Sequence, residues 1–212
     1  YEINEENAKE ILKLYSEFEE NEHCKIFPTT EFAYREITIQ RPLRLKFEIA
    51  DESLARLKEH KDFMNDRPSK KAGEKGEAEN KAWRKLRAAV YKILENIRNK
   101  KYMSRAEFLK KLEAEVKKQE IKITNKILKT IWQEIGERDE EAEICYDEDG
   151  KPEPDKELKD FERVPWGRDI HDYFEKEVKP YAPDAWIDES VRDAKDGKIG
   201  IVGYEIPFSR YF

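Results

Sequence analysis

YREITIQRPLRLKFEI, residues 34–49, is the stretch whose reading decides the fold. Tyr34, Ile37 and Ile39, and then Leu43, Leu45 and Phe47, form two runs with the alternation of half-buried strands. They meet at Arg41-Pro42. Proline has no N–H for a ladder, so the junction is an edge, a bend or the end of one strand. Upstream, NEENAKEILKLYSEFEE (4–20) sets Ile11, Leu12, Leu14, Tyr15 and Phe18 on one side of an expected helix, with acidic residues in its first turn. Downstream, Leu54, Leu57 and Phe63 fit a short helix over roughly 52–63.

From Asp66 to Asn80 no apolar residue is larger than Ala or Pro, which reads as a solvated linker and a domain boundary. Three helical segments follow. The first, about 78–99, carries Trp83, Leu86, Val90, Ile93, Leu94 and Ile97. Ser104 and Glu107 have the spacing of a capping box before the stripe Phe108, Leu109, Leu112 and Val116. Thr124 opens the third, with Ile127, Leu128, Ile131, Trp132 and Ile135, and Gly136 stands at the position of a C-terminal glycine. These three form a small helical bundle. Asp149-Gly150 signals a hairpin turn, a helix is expected near 168–178 before Pro180, and KIGIVGYEIPF (198–208) reads as a strand or hairpin. The fold class is therefore α+β, predominantly helical, with a few short strands or hairpins.

At 212 residues, 42% charged and 38% hydrophobic, the chain can bury a core in one large domain or two small ones. No apolar run approaches the ~18 residues of a membrane span. Two cysteines, Cys24 and Cys145, and no signal peptide suggest a reducing cytoplasm. The net charge of −6 conceals a polarity. Residues 67–130 hold 20 Lys and Arg against 8 Asp and Glu, whereas residues 131–196 hold 10 against 23. The basic block could face a polyanion, and Lys70, Lys71, Lys75, Arg84, Lys85 and Arg87 are its candidate phosphate contacts; a solvated helix face is the competing reading. The two blocks could also pair with each other.

No constellation for catalysis emerges. GKIGIVG (197–203) has G-x-x-G-x-x-G spacing with no helix behind it, so its glycines are expected to relieve a bend or a close approach. AGEKGEAE (72–79) lacks the P-loop spacing and its Lys-Ser/Thr pair. CYDEDGKPEPDK (145–156) puts Cys145 and Lys156 where a calcium loop needs acidic ligands. His23, His60 and His171 share neither a helix face nor zinc spacing. No metal site or bound cofactor is expected, and an enzyme acting by itself has no residues to carry it.

Several stretches nevertheless resemble one family. EFAYREITIQRPLRL (31–45), EICYDEDGKPEPDKELKDFERVP (143–165), DIHDYFEKEVKPYAPDAWIDE (169–189) and GYEIPFSRYF (203–212) are similar to the modification subunit of type I restriction-modification systems, an S-adenosylmethionine-dependent DNA adenine-N6 methyltransferase. The likeness spans about 1–66 and 137–212 and is strongest at RPLRL, PDAWIDES and GYEIPFSRYF. The family has Phe-Gly-Tyr where this chain has Phe32-Ala33-Tyr34, and Glu where it has Gln40. Its Asn-Pro-Pro-Phe motif and glycine-rich cofactor loop do not occur in this sequence. The resemblance thus implies the region that follows the α/β methyltransferase core, with S-adenosylmethionine held by that core.

With the composition it divides the chain into 1–66, which on the resemblance completes or follows the core, and, from the residues themselves, 67–80 (charged linker), 81–136 (basic bundle) and 137–212 (acidic segment with helix and terminal strand). The implied partners are the specificity subunit, a second modification subunit, the restriction subunit and DNA, with no membrane. Tyr1 at the start and Tyr211-Phe212 at the finish read as cut ends of a longer chain. Trp166, Tyr173, Phe174, Trp186, Tyr204, Phe208 and Tyr211 read first as core; Trp186, Tyr204, Phe208 and Tyr211 are also candidate partner contacts. The alternative is a free-standing helical module that binds nucleic acid or protein.

Overall fold

The structure is a computed structural model, which describes residues 3–66 and 68–206. Along the chain come α1 (Glu5–Glu17), β1 (Ala33–Gln40), β2 (Leu45–Phe47), α2 (Asp51–Glu59), α3 (Lys61–Met64), α4 (Gly73–Asn96), α5 (Arg105–Lys118) and α6 (Asn125–Ile135). Then follow β3 (Gly136–Arg138), β4 (Asp160–Pro165), α7 (Ile170–Tyr173), β5 (Trp186–Ile187) and β6 (Ile201–Tyr204). The mixed α+β class read from the sequence is what the chain adopts. It divides into two compact units, residues 1–40 with 158–212, and the uninterrupted stretch 41–157.

In the first unit β1 is central. β4 pairs antiparallel along one edge, from Tyr34↔Pro165 to Ile39↔Asp160. The other edge is shared by β6, which covers Ala33 to Glu36, and β5, which covers Ile39 and Gln40. Alternation turns Ile37 and Ile39 into a core with Val164, Ala185 and Ile187. α7 runs on into a π-helical turn, Phe174–Val178, which sends Phe174 and Val178 into the same core. On the opposite side of the sheet, Arg163 meets its cross-strand partner Glu36 at 3.3 Å and lies over the Tyr34 ring at 4.8 Å. In GKIGIVG, Gly200 and Gly203 relieve close approach, while Gly197 turns the chain at φ +69° in open space. A Cβ on Gly200, which has φ +82°, would lie 2.7 Å from the Glu36 carbonyl oxygen.

In the second unit Phe47 exchanges two backbone hydrogen bonds with Tyr102 and stacks on Phe108 with centroids 4.6 Å apart. β2 pairs with β3, and Leu45, Phe47 and Ile49 share one core with Leu54, Val90, Ile93, Leu112, Ile131 and Cys145. Burying each such side chain contributes about 1.5–3 kcal/mol. One core running from Leu45 to Cys145 corrects the expected boundaries, because neither 66 nor 137 separates packed bodies. The segment read as a linker is also largely structured. α4 already begins at Gly73, and Asn80 accepts the Ser69 N–H at 2.9 Å while Ser69 Oγ donates to Glu79 at 2.7 Å. Polar side chains thus order a stretch that lacks apolar ones. Gly76 lets that strap lie against the helix, since a Cβ there would collide with the Lys71 carbonyl.

Two capping expectations need correction. Ser104 precedes α5 but its side chain makes no capping hydrogen bond; the helix opens with Phe108 N–H on the Ser104 carbonyl at 3.1 Å. Gly136 follows α6 in extended conformation rather than left-handed, and its need for glycine is spatial. A Cβ would sit 2.8 Å from the Trp132 carbonyl oxygen and 3.1 Å from the Phe47 ring.

Candidate functional site

The six candidate phosphate contacts do not act alike. Lys71 is paired with Glu79, while Arg87 pairs with Asp66 and donates to the Phe63 carbonyl at 2.7 Å. Both cations are held by the strap and the α3 end of their own unit. Lys70, Lys75, Arg84 and Lys85 are exposed and make no ion pair with a described residue. Of the six candidates, these four are the available cations.

Of the candidate partner contacts, Trp186 is half-buried in β5 and Tyr204 is 65% exposed in β6. Phe208 and Tyr211 lie outside the described residues. The core reading of the terminal aromatics holds for Phe174 and in part for Tyr173 and Trp186. It fails for Tyr204 and for Trp166, which is 45% exposed. Trp166 sits at the corner of a turn closed by Arg168 N–H on the Pro165 carbonyl at 3.1 Å, with Gly167 at φ +86°. A turn directly after a strand lifts the indole off the sheet.

That turn borders a cleft of about 660 Å³ in the first unit, lined among others by Arg35, Trp166, Arg168, His171, Arg192 and Lys198. Arg35 is 11% exposed at its side chain, pairs with Asp196 and donates to the Ile199 and Gly200 carbonyls at 3.3 and 3.2 Å. It pins the glycine strand and stands 6.0 Å from the Trp166 ring centre. Asp169, the acidic residue of the lining, accepts the Asp172 and His171 N–H groups at 2.9 Å each. The Asp172 N–H, followed by that of His171, outweighs desolvation and holds its carboxyl below the ordinary value. Arg168, Arg192 and Lys198 are exposed and have no ion-pair partner among the described residues. These cations escaped the sequence reading because each stands in a strongly acidic segment. The signal present was Trp-Gly-Arg, a glycine turn that exposes an aromatic beside a cation.

A second cleft, also about 660 Å³, belongs to the second unit, between Trp132 and the 153–156 loop. Here Arg138 grips Asp155 with Nε at 2.6 Å and Nη2 at 2.9 Å, and Arg105 binds Glu153 while lying 4.8 Å over Trp132. Each guanidinium is thus occupied by a carboxylate, and the arrangement is a brace. Asp147, in the stretch weighed as a calcium loop, receives the N–H groups of Asp149 and Lys151 at 3.0 and 2.8 Å and forms the hairpin turn instead. His60 Nδ1 accepts the Asp62 N–H at 3.2 Å and caps α3. Burial pushes the Cys145 thiol up, away from thiolate chemistry.

The α1 helix and its C-cap carry an apolar stripe that no described residue covers: Ile11, Leu12, Tyr15 and Phe18 are 54, 67, 84 and 73% exposed. A capping box of Asn4 with Asn7 closes its N-terminus. No described helix is long and apolar enough to cross a membrane. Compared with family models, curated proteins and solved structures, the chain gives no match.

Proposed function

We propose that this chain is the non-catalytic C-terminal part of a type I restriction-modification DNA adenine-N6 methyltransferase subunit, working in the cytoplasm in assembly with the specificity subunit and in contact with DNA phosphates. The observation that carries the reading is that the stretches bearing the resemblance pair with one another. EFAYREITIQ supplies β1, whose partners come from the other resembling stretches: DFERVP forms β4, PDAWIDES contains β5, and Gly203 and Tyr204, which open the last stretch, lie in β6. RPLRL likewise bonds to EICYDEDGKPEP: Leu43 N–H reaches the Glu153 carbonyl at 2.7 Å and Cys145 N–H reaches the Leu43 carbonyl at 2.8 Å. Motifs far apart in sequence are thus structurally coupled pairs.

In this reading the docking area is the α1 stripe together with Tyr204 and Trp186. Glu5, Glu6, Glu10 and Glu17 surround the stripe against Lys9 and Lys13, so the complementary face of the specificity subunit would be apolar with a basic margin. Lys70, Lys75, Arg84 and Lys85 would contribute phosphate contacts without base readout. S-adenosylmethionine would bind the methyltransferase core, and methyl transfer by this chain alone is not expected. The test is co-expression of the chain with a type I specificity subunit carrying a tag. Recovery of a stoichiometric complex is the expected outcome. Failure to co-purify at low and moderate salt would remove the assembly role.

A further inference from the structure

We propose that the cleft of the first unit is a nucleotide-binding site, taking phosphate on Arg168, Arg192 and Lys198 and the attached base on the indole of Trp166. The inference goes beyond the assembly reading, which requires no such site. The first unit holds 22 Asp and Glu against 13 Lys and Arg, so a cation-lined concavity runs against its composition. Of the nearby acidic groups, Asp196 is paired with Arg35, while Asp169 is the one carboxylate of the lining, its Oδ1 held by two backbone N–H groups, against the cations Arg35, Arg168, Arg192 and Lys198. Arg168, Arg192 and Lys198 form no ion pair with a described residue, though Lys198 is near enough to Asp196 to help hold its carboxyl down, and apolar walls of Pro165, Ile170 and Ile199 sharpen their field.

The cations reach the cleft from two loops, the 165–168 turn and the segment from Arg192 to Lys198. The latter is closed by the bridge Arg192↔Ile199, with Arg192 Nη1 on the Gly197 carbonyl at 3.1 Å. A lone carboxylate satisfies one guanidinium fork, whereas a phosphate offers several oxygens to cations from both loops. The exposed indole decides between anions, because an acidic side chain has no flat ring to lay on it and a nucleobase does. A cleft of about 660 Å³ lies within the usual range for small-ligand sites.

The full chain, titrated at low salt into a short fluorescein-labelled oligothymidylate and followed by anisotropy, tests this. Charge reversal with Arg168→Glu and Lys198→Glu is expected to weaken binding about tenfold or more and to flatten the salt dependence, by roughly 0.7 in log–log slope for each phosphate no longer neutralised. Trp166→Ala should cost about five- to a hundredfold, with Trp166→Phe falling between. Lys110→Glu with Lys117→Glu on α5, both exposed and outside either set of proposed phosphate contacts, should shift affinity no more than about threefold through general charge. Thermal melting confirms that each variant folds. Displacement by unlabelled strand alone supports the site and marks nucleic acid as the source. Displacement by free thymidine nucleotide with the same dependence on Arg168 and Lys198 supports it and marks the free nucleotide. Affinity indifferent to Arg168, Lys198 and Trp166 overturns the proposal, as does a glutamate-rich peptide of matched charge that displaces the strand equally well. Co-purification with a specificity subunit is a separate readout, so either reading can fail alone.

Discussion

Asp155, 2% exposed, is the second unit's most deeply buried carboxylate, and its protonation should be legible in stability. Burial by itself pushes its carboxyl up. The Arg138 fork and the Glu157 N–H at 3.0 Å outweigh that and hold it below the ordinary 3.8. A carboxyl depressed in the folded state makes the unfolded chain take up the proton first. Its stabilisation is therefore complete above about pH 4 and is lost as pH falls through the lower folded-state value. Because Arg138 is itself half exposed, removing its partner does not strand a buried cation, and Asp155→Ala should cost about 2 kcal/mol near neutrality. Urea unfolding midpoints at several pH values measure this. The gap between variant and parent should narrow below about pH 4, with Asp155→Asn intermediate at neutral pH; a gap that stays constant down to pH 3 would show that packing, not charge, stabilises the loop.

At the scale of elements, what could be read from the sequence was whatever local pattern determines. β1 and β2 were visible in their alternation, and the break at Arg41-Pro42 is real: Pro42 makes only an isolated bridge, to Pro154. α6 was visible from Thr124, whose hydroxyl accepts the Ile127 N–H at 3.4 Å. Ser104 shows the limit, because its capping-box spacing is right but the side chain is 5% exposed and makes no cap bond. α1 shows another limit. Its stripe has the periodicity of a core helix, yet burial depends on a partner surface that periodicity cannot report. Since that stripe contributes little to the isolated fold, Leu12→Lys with Tyr15→Lys should change stability by no more than about 0.5 kcal/mol. The same pair should abolish recovery on a tagged specificity subunit. Melting curves and pull-down separate the two effects, and loss of folding without the partner would place the stripe in the core after all.

For the whole molecule, the decisive fact is long-range and no window of sequence contains it: β1 pairs with strands more than 120 residues away. That pairing makes 41–157 an insertion between two halves of the first unit, where composition had suggested serial segments. The cleft proposed to bind nucleotide was hidden for the same reason, since Arg35 lies far from Trp166 and Arg192 in the chain. An insertion whose ends lie together can be removed. Asp155 N–H bonds to the Arg41 carbonyl at 2.8 Å, so residues 41–157 begin and end side by side. They enclose a complete core and should fold alone, giving one cooperative urea transition and near-ultraviolet dichroism from ordered Trp and Tyr. In the remainder, Ile39 faces Asp160 in the β1–β4 ladder, so Gln40 can be joined to Lys159 by a two- to five-residue Gly-rich turn as an ordinary hairpin. The joined chain should melt cooperatively and retain the nucleotide cleft. A non-cooperative melt with strong dye binding in either piece would mean that its core is completed by the other, and that the division at Gln40 and Leu158 does not mark independent folding units.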